Sequence, residues 1–271
     1  ILYQKTINMK PAMKSKANRR ALALAGAFTC VSSSALAAPF VWNGTNNTWT
    51  SLNWNAGVGG PTGASNADSA TINAGTVTFS GSDTFGNDAT GASPVITINN
   101  GGTLASGGFF NTMWDLTLNG GTLLANGGAD PLFGAFKLSG TVTVGGSAAS
   151  NILLGSGGNN SVALGASPGG FTTFNVADVT VSTATDLTVS TILTTIGSDA
   201  SGLIKAGAGT MTLTAANAYT GATTINGGRL VYQNTYASAS HVVAAGATLE
   251  INVATGTRNS ADTTFSGGGT L

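Results

Sequence analysis

The stretch from Gly209 to Leu230, GTMTLTAANAYTGATTINGGRL, decides the fold. Its 22 residues include one charged side chain, Arg229, and neither cysteine nor proline. Apolar residues alternate with threonine from Met211 to Leu213. A period of two indicates a half-buried β-strand, and the β-branched threonine suits the solvent side of that strand. The stretch is therefore expected to form walls and turns rather than a chemical site.

A tripeptide of the form Gly-Thr-apolar recurs along the chain. The apolar residues of successive copies, two of them with substitutions, are Val77, Leu104, Leu123, Val142, Met211, Leu230, Leu249 and Leu271. The spacing is 19 residues from Leu104 to Leu123 to Val142, and again from Met211 to Leu230 to Leu249. Asn-Gly and Gly-Gly pairs separate the runs, and these residues tolerate the positive φ that tight turns demand.

A fixed repeat of this length fits three short strands joined by tight corners. Successive copies can then stack in register, with like residues about 4.8 Å apart. The predicted fold is all-β, a right-handed parallel β-helix of about eleven turns. Leu104, Leu123 and Val142 should lie directly over one another. An antiparallel sandwich with regular turns is the alternative.

The N-terminus has the pattern of a secretory signal peptide. Residues 13–20 are basic, residues 21–31 are apolar, and Ala35 and Ala37 fit the signal-peptidase rule. Residues 1–37 are thus interpreted as upstream residues plus a signal peptide. Its removal leaves four basic and ten acidic residues, a net charge of −6, and no cysteine. Such a chain is a poor nucleic-acid binder, and no apolar run in it is long enough to span a membrane.

Three of the four tryptophans, Trp42, Trp49 and Trp54, lie close together at the start of the mature chain. We expect residues 38–60 to form an N-terminal cap and residues 61–271 to form the β-helix repeats. In the cap the tryptophans would shield the end of the core. The alternative is an aromatic platform that contacts glycans.

Groups able to do acid–base or metal chemistry are sparse. His241 is the only histidine, which excludes a site with two histidines, and it is expected at a turn or on the surface. Glu250 is expected on the solvent side of a strand, and the tyrosines Tyr219, Tyr232 and Tyr236 on the outside. The aspartates, mostly in turn-like contexts, are Asp68, Asp83, Asp88, Asp115, Asp130, Asp178, Asp186, Asp199 and Asp262. No catalytic residue, cofactor site or metal site is predicted.

Residues 202–231, GLIKAGAGTMTLTAANAYTGATTINGGRLV, resemble the autotransporter-associated β-strand repeat. The residues that carry the resemblance are Lys205, Gly207, Gly209, Thr210, Leu213, Asn217, Tyr219, Thr220, Gly221, Thr224, Ile225, Gly227, Gly228 and Leu230. The resemblance implies a β-helical passenger that is exported and followed by a C-terminal translocator barrel or another sorting signal. The chain is accordingly expected to be a fragment of a longer protein.

The expected function is that of a non-enzymatic passenger or stalk, with a structural or adhesin-type role. It would be displayed at the cell surface or outer membrane, or released outside the cell. Its partners would be surface glycans or the surface of a host or neighbouring cell. Two alternatives stay open: a glycan hydrolase or lyase, which needs two carboxylates at a set separation, and a carbohydrate-binding module.

Overall fold

The regular elements of this computed structural model are β-strands. The structure describes residues 39–42, 44, 46–51, 54, 60–61, 68–85, 93–128, 133–165, 169–253 and 264–271. In chain order the strands are β1 Pro39–Trp42, β2 Asn47–Thr48, β3 Ser69–Ile72, β4 Gly75–Thr78, β5 Val95–Asn99, β6 Gly102–Ala105, β7 Asn111–Asn119, β8 Thr122–Ala125, β9 Phe136–Val144, β10 Ser150–Leu154, β11 Val162–Leu164, β12 Phe171–Val176, β13 Leu187–Val189, β14 Leu193–Thr194, β15 Gly202–Ala206, β16 Thr210–Leu213, β17 Thr223–Ile225, β18 Arg229–Tyr232, β19 Ser240–Val243, β20 Thr248–Ile251 and β21 Thr264–Gly267. The signal-peptide residues Ala35 and Ala37 lie outside the described residues.

The strands stack into two parallel sheets that follow chain order. The first sheet runs β1-β3-β5-β7-β9-β12-β15-β17-β19-β21, and the second runs β2-β4-β6-β8-β10-β13-β16-β18-β20. Because pairing is parallel, the chain must travel around one full coil before it returns to each sheet. This arrangement is a parallel β-helix, as predicted.

A third side of the coil is built from shorter segments. The first residues of β7 pair with those of β9, which pair with β11, and β11 pairs with β14. Towards the C-terminus this side shrinks to a single bridge between Asn217 and Tyr236. The expectation of three strands per coil therefore holds in the middle of the stack, and later coils have two.

The register confirms most of the 19-residue repeat and corrects one copy. Leu104 pairs with Leu123, and Met211 with Leu230 and then Leu249. The prediction for Val142 was wrong, because it lies in the first sheet and pairs with Leu116. The partner of Leu123 in the next coil is Ile152. A Gly-Thr-apolar tripeptide can lie in a strand of either sheet, so the tripeptide alone does not show to which sheet a copy belongs.

The coils are also fewer than expected. The second sheet has nine strands, so the described chain passes through it nine times rather than about eleven. Long connections in the middle of the chain account for the difference. Val142, for example, pairs with Phe174, which is 32 residues further on.

Aliphatic side chains form columns inside the coil. Ile72, Ile98, Leu118 and Val144 stack in successive coils of the first sheet, and all are 1% exposed or less. Burial of such a side chain contributes roughly 1.5–3 kcal/mol. Between these positions Thr97 and Thr117 pair with each other on the outward side and are half-buried. The predicted division into a dry column and a threonine skin is confirmed.

An asparagine ladder marks the corner between the two sheets. The side chain of Asn99 donates to that of Asn73 at 2.6 Å, and Asn119 donates to Asn99 at 3.0 Å. The ladder bonds each corner to the next, so it fixes the register where the strands end.

Among the described residues no helix is long and apolar enough to cross a membrane.

Candidate functional site

The three N-terminal tryptophans are buried. Trp42 and Trp49 are 0% exposed and Trp54 is 2% exposed. The ring centroids of Trp49 and Trp54 are 4.9 Å apart, and Trp49 stacks on Phe79 at 4.9 Å. Phe79 belongs to the next coil, so the cluster is continuous with the core.

Hydrogen bonds fix the orientation of two of these rings. The indole nitrogen of Trp49 donates to the carbonyl of Pro61, and that of Trp54 donates to the carbonyl of Trp49, both at 2.9 Å. A Cβ atom on Gly60 would lie 2.7 Å from the Trp49 ring, so the chain passes directly over the cluster. A glycan platform requires an exposed ring face, and none of the three has one. These contacts fit the cap interpretation.

Lys205 lies inside the coil. Strand β15 places it between Phe174 and Ile225 in the inward column of the first sheet, and it is 0% exposed. Its ammonium donates to the carbonyls of Ala206 and Gly207 at 2.9 Å and of Gly227 at 3.1 Å. Three donors therefore meet three acceptors. The lysine holds the corner of its own coil to the corner of the next.

The environment of Lys205 shifts its pKa downwards. Burial lowers the pKa from 10.5 to about 8, and the negative charge of Asp186 partly offsets this effect. The side chain still carries a positive charge at neutral pH. The protonated amine has no lone pair for nucleophilic attack, and its three N–H groups all donate to backbone carbonyls. The geometry is therefore that of a structural contact between coils.

Asp186 is buried and anchors a loop. One carboxylate oxygen accepts from the backbone N–H groups of Val179 and Thr180 and from the Thr180 hydroxyl, at 2.9–3.0 Å. The other oxygen accepts from the N–H of Thr210 at 2.7 Å. The carboxylate thus ties residues 179–180 to β16. This arrangement agrees with the interpretation of aspartates as turn residues.

The tyrosines predicted on the outside are buried. Tyr219 and Tyr232 are 0% exposed and Tyr236 is 5% exposed. The hydroxyls of Tyr219 and Tyr232 are 2.6 Å apart, and that of Tyr219 is 2.7 Å from the Thr223 hydroxyl. Burial raises the pKa of Tyr219 to about 12 and that of Tyr232 well above 10. For Tyr219 and Tyr236 the prediction failed because residues 214–222 and 233–239 contain no strand whose alternation would indicate an inward position. Tyr232 ends β18, two residues after the inward Leu230, so there the alternation did indicate burial.

His241 was also wrongly predicted, since it is neither at a turn nor on the surface. It points inward from β19 and is 0% exposed. Its Nε2 atom lies 3.2 Å from the Tyr232 hydroxyl, and its ring stacks on Phe265 at 5.2 Å. The buried Nδ1 atom has no hydrogen-bond partner among the residues that the structure describes. Burial lowers the pKa of His241 to about 4, so the imidazole is neutral at neutral pH.

Two further carboxylates lie at the surface of the coil. Glu250 lies on the solvent side, as predicted, and forms an ion pair with Arg229. Asp178 accepts from the backbone N–H of Ser182 at 3.2 Å within a turn. Within the described ranges no group of three or more His, Cys, Asp and Glu side chains could hold a metal ion. The aspartates Asp88, Asp130 and Asp262 lie outside these ranges.

One cavity of about 140 Å³ lies between Val243 of β19 and the segment from Phe265 to Leu271. Its lining is apolar side chains, Ser266, Thr270 and glycine backbone. None of these side chains titrates near neutral pH, so the cavity offers no general acid or base.

A comparison with protein families finds a match in the coil that contains Lys205. The passenger-associated-transport-repeat family model matches residues 203–231. No curated protein and no solved structure matches the chain. The matched residues run from β15 to β18 and so cover one complete coil. The chain therefore carries a passenger-associated transport repeat, which supports its placement among autotransporter passenger-type proteins.

Proposed function

We propose that this β-helix is a non-catalytic segment of an exported passenger and that it has a structural or adhesin-type role at the cell surface. The passenger-associated repeat implies export and display at the surface or outside the cell. The structural role is inferred from how the repeat uses its polar residues.

The observation that carries the proposal is that polar side chains of the repeat are engaged in holding coils together. Lys205 bonds three backbone carbonyls of two corners. Asn217 accepts from the N–H of Leu193 at 3.0 Å and donates to the carbonyl of Ala215 at 2.9 Å. Tyr219 bonds Thr223 and Tyr232 inside the coil. These groups specify stacking, and each of the three is buried, at 4% exposed or less.

The outward surface suits weak, repeated contacts. Thr97, Thr117 and Thr143 pair in successive coils and present hydroxyl groups at the strand spacing of about 4.8 Å. Hydroxyl rows can exchange hydrogen bonds with the hydroxyl groups of glycans. Surface glycans, or the surface of a host or neighbouring cell, are the partners that we propose.

The test is display of the chain on bacteria. The whole chain is fused to the translocator barrel of an established autotransporter, and cells carrying only the barrel serve as control. Added protease should remove the displayed segment from intact cells. Attachment of the cells to surfaces coated with mammalian or bacterial glycans should exceed that of the control. Failure of display would contradict the passenger role, and display without increased attachment would contradict the adhesin role alone.

The enzymatic alternative is tested with purified protein. Incubation with polyuronates and neutral glycans should leave their chain lengths unchanged. The most informative variant is Asp115→Asn, because Asp115 is an exposed carboxylate on the outward side of β7. Turnover that this substitution abolishes would replace the structural proposal by a catalytic one.

A further inference from the structure

Four Asn-Gly pairs lie in the described chain, and the structure treats them in two different ways. They are Asn100-Gly101, Asn119-Gly120, Asn126-Gly127 and Asn226-Gly227. Asparagine followed by glycine is the sequence most prone to spontaneous loss of the side-chain amide, because glycine has no side chain to obstruct attack by its own backbone nitrogen. Asparagine is accordingly counted among the thermolabile residues.

Two of the pairs are held at both reacting groups. The Asn119 amide donates to Asn99 at 3.0 Å, and the N–H of Gly120 donates to Ser150 at 2.9 Å. The side-chain carbonyl oxygen of Asn126, Oδ1, accepts from the Ser106 hydroxyl at 3.0 Å and from the N–H of Gly107 at 2.8 Å. The N–H of Gly127 donates to the side chain of Asn160. In both pairs the electrophile and the nucleophile are fixed in hydrogen bonds.

In the other two pairs neither the asparagine side chain nor the glycine N–H is fixed by a hydrogen bond to a described residue. Asn100 and Asn226 are exposed, and in the part of the chain that the structure describes no hydrogen bond engages their side-chain amides. The N–H groups of Gly101 and Gly227 are also without a partner there. Only the carbonyls of these glycines are used, by the N–H of Gly75 and by the ammonium of Lys205.

We propose that Asn100 and Asn226 are sites of non-enzymatic deamidation through a succinimide, and that the fold protects Asn119 and Asn126. The backbone nitrogen of the glycine attacks Cγ of the asparagine. The new N–Cγ bond forms, the Cγ–Nδ2 bond breaks, and the side-chain nitrogen leaves as ammonia with the proton from the glycine. Water then opens the ring at either carbonyl and gives aspartate or isoaspartate. No oxidant, metal or enzyme is needed.

The modification has consequences for charge and for stacking. Each event replaces a neutral amide by a carboxylate, so the exported chain becomes more acidic as it ages. At position 226 the isoaspartate product adds one atom to the main chain directly before Gly227. The carbonyl of Gly227 is an acceptor of Lys205, so this product alters a corner that the lysine holds.

The experiment is ageing of the folded full chain in mildly alkaline buffer, followed by peptide mapping with mass spectrometry. Asn100 and Asn226 should convert first. Asn119 and Asn126 should lag by about tenfold or more, which is the factor expected when two net hydrogen bonds must open before attack. The same ageing in urea should remove the difference, because all four sites then share the same successor residue. Equal rates in the folded chain, or a difference that persists in urea, would overturn the proposal.

Two variants sharpen the result. Asn160→Ala frees the N–H of Gly127, and conversion of Asn126 should then rise towards that of Asn100. Asn100→Gln keeps an amide at the site but requires a larger ring, so its acidic product should disappear from isoelectric focusing while the product of Asn226 persists. Unchanged protection of Asn126 in the Asn160→Ala chain would show that the hydrogen bond is not the cause.

Discussion

The coils from β5 to β10 and those from β15 to β19 have the same two-sheet wall but different interiors. In the first sheet the earlier coils are lined by aliphatic columns such as Ile98, Leu118 and Val144, and the buried Lys137 of β9 belongs to the third side of the coil. The later coils bury Lys205, Tyr232 and His241 at inward positions. Aliphatic packing is non-directional, whereas each buried polar group needs a partner at a set distance. The same backbone can therefore enclose either an aliphatic interior or one in which buried polar groups form specific hydrogen bonds.

The largest effect should come from Lys205→Met. Methionine fills the space but leaves the carbonyls of Ala206, Gly207 and Gly227 without the ammonium. Each buried carbonyl left without a donor costs roughly 1–3 kcal/mol, so we expect a loss of about 4 kcal/mol in the free energy of unfolding. Urea denaturation followed by circular dichroism measures it.

The matched control for this prediction is Arg229→Met. Arg229 is a cation on β18 of the second sheet, and its ion pair with Glu250 is about one-third exposed. An exposed pair of this kind contributes about 1 kcal/mol or less. Equal losses in the two variants would mean that the buried carbonyl contacts of Lys205 contribute nothing special.

The aliphatic interior is probed by Leu104→Ala. Leu104 is 0% exposed and lies between Val77 and Leu123 in the second sheet. Truncation should cost about 3 kcal/mol, the middle of the range for buried leucines. Leu124→Ala is the control, because Leu124 is on the outward side of β8 and half-buried. A loss below that of Leu124→Ala would contradict the placement of Leu104 in the core column.

The sequence determined the aliphatic interior better than the polar one. Alternation of threonine with apolar residues and the 19-residue spacing predicted the pairing of Leu104 with Leu123. The same alternation contained the signal for Lys205 and His241, since each lies two residues from an inward apolar residue, Leu203 or Val243. The general rule that charged and titratable groups face water concealed it. Burial of these groups depends on hydrogen-bond partners that include residues of other parts of the stack, Gly227 for Lys205 and Tyr232 for His241. The periodicity of a single strand does not reveal those partners.

The second feature that the sequence did not reveal is which sheet each copy of the tripeptide belongs to. The copy at Val142 has the correct tripeptide and the correct spacing, yet it pairs in the first sheet instead of the second. Ten residues separate the end of β8 from the start of β9, whereas five separate β6 from β7, so this copy of the tripeptide reaches the first sheet instead of the second. The spacing between tripeptides gives only the number of residues between two copies. The register of the strands also depends on how many of those residues are taken up by the connections between strands.

Acid should weaken the polar interior selectively. The pKa of His241 is about 4 in the folded chain and about 6.5 when unfolded, so the unfolded state binds the proton first. Stability is therefore full above pH 6.5 and falls as the pH drops from 6.5 to 4. We expect this residue to contribute a loss of about 3 kcal/mol between pH 7 and pH 4.

The groups that face His241 are Tyr232, Tyr236 and Phe265, and none of them titrates in this pH range. Carboxylates elsewhere do titrate there, so the measurement is the difference between the wild-type chain and His241→Phe at pH 7 and pH 4. The variant should lose less stability on acidification. Parallel pH profiles for the two chains would contradict a proton-linked role for His241.

The smallest effect is expected from Tyr219→Phe, which removes one hydroxyl from the cluster with Thr223 and Tyr232. Loss of a buried hydrogen-bonding group should cost about 1–2 kcal/mol in urea denaturation. Tyr232→Phe should cost more, because that hydroxyl also contacts His241. Since the two hydroxyls bond each other, the double variant should lose less than the sum of the single losses. Strict additivity would mean that the tyrosines stabilise separate coils and that the later interior is no more cooperative than the aliphatic one.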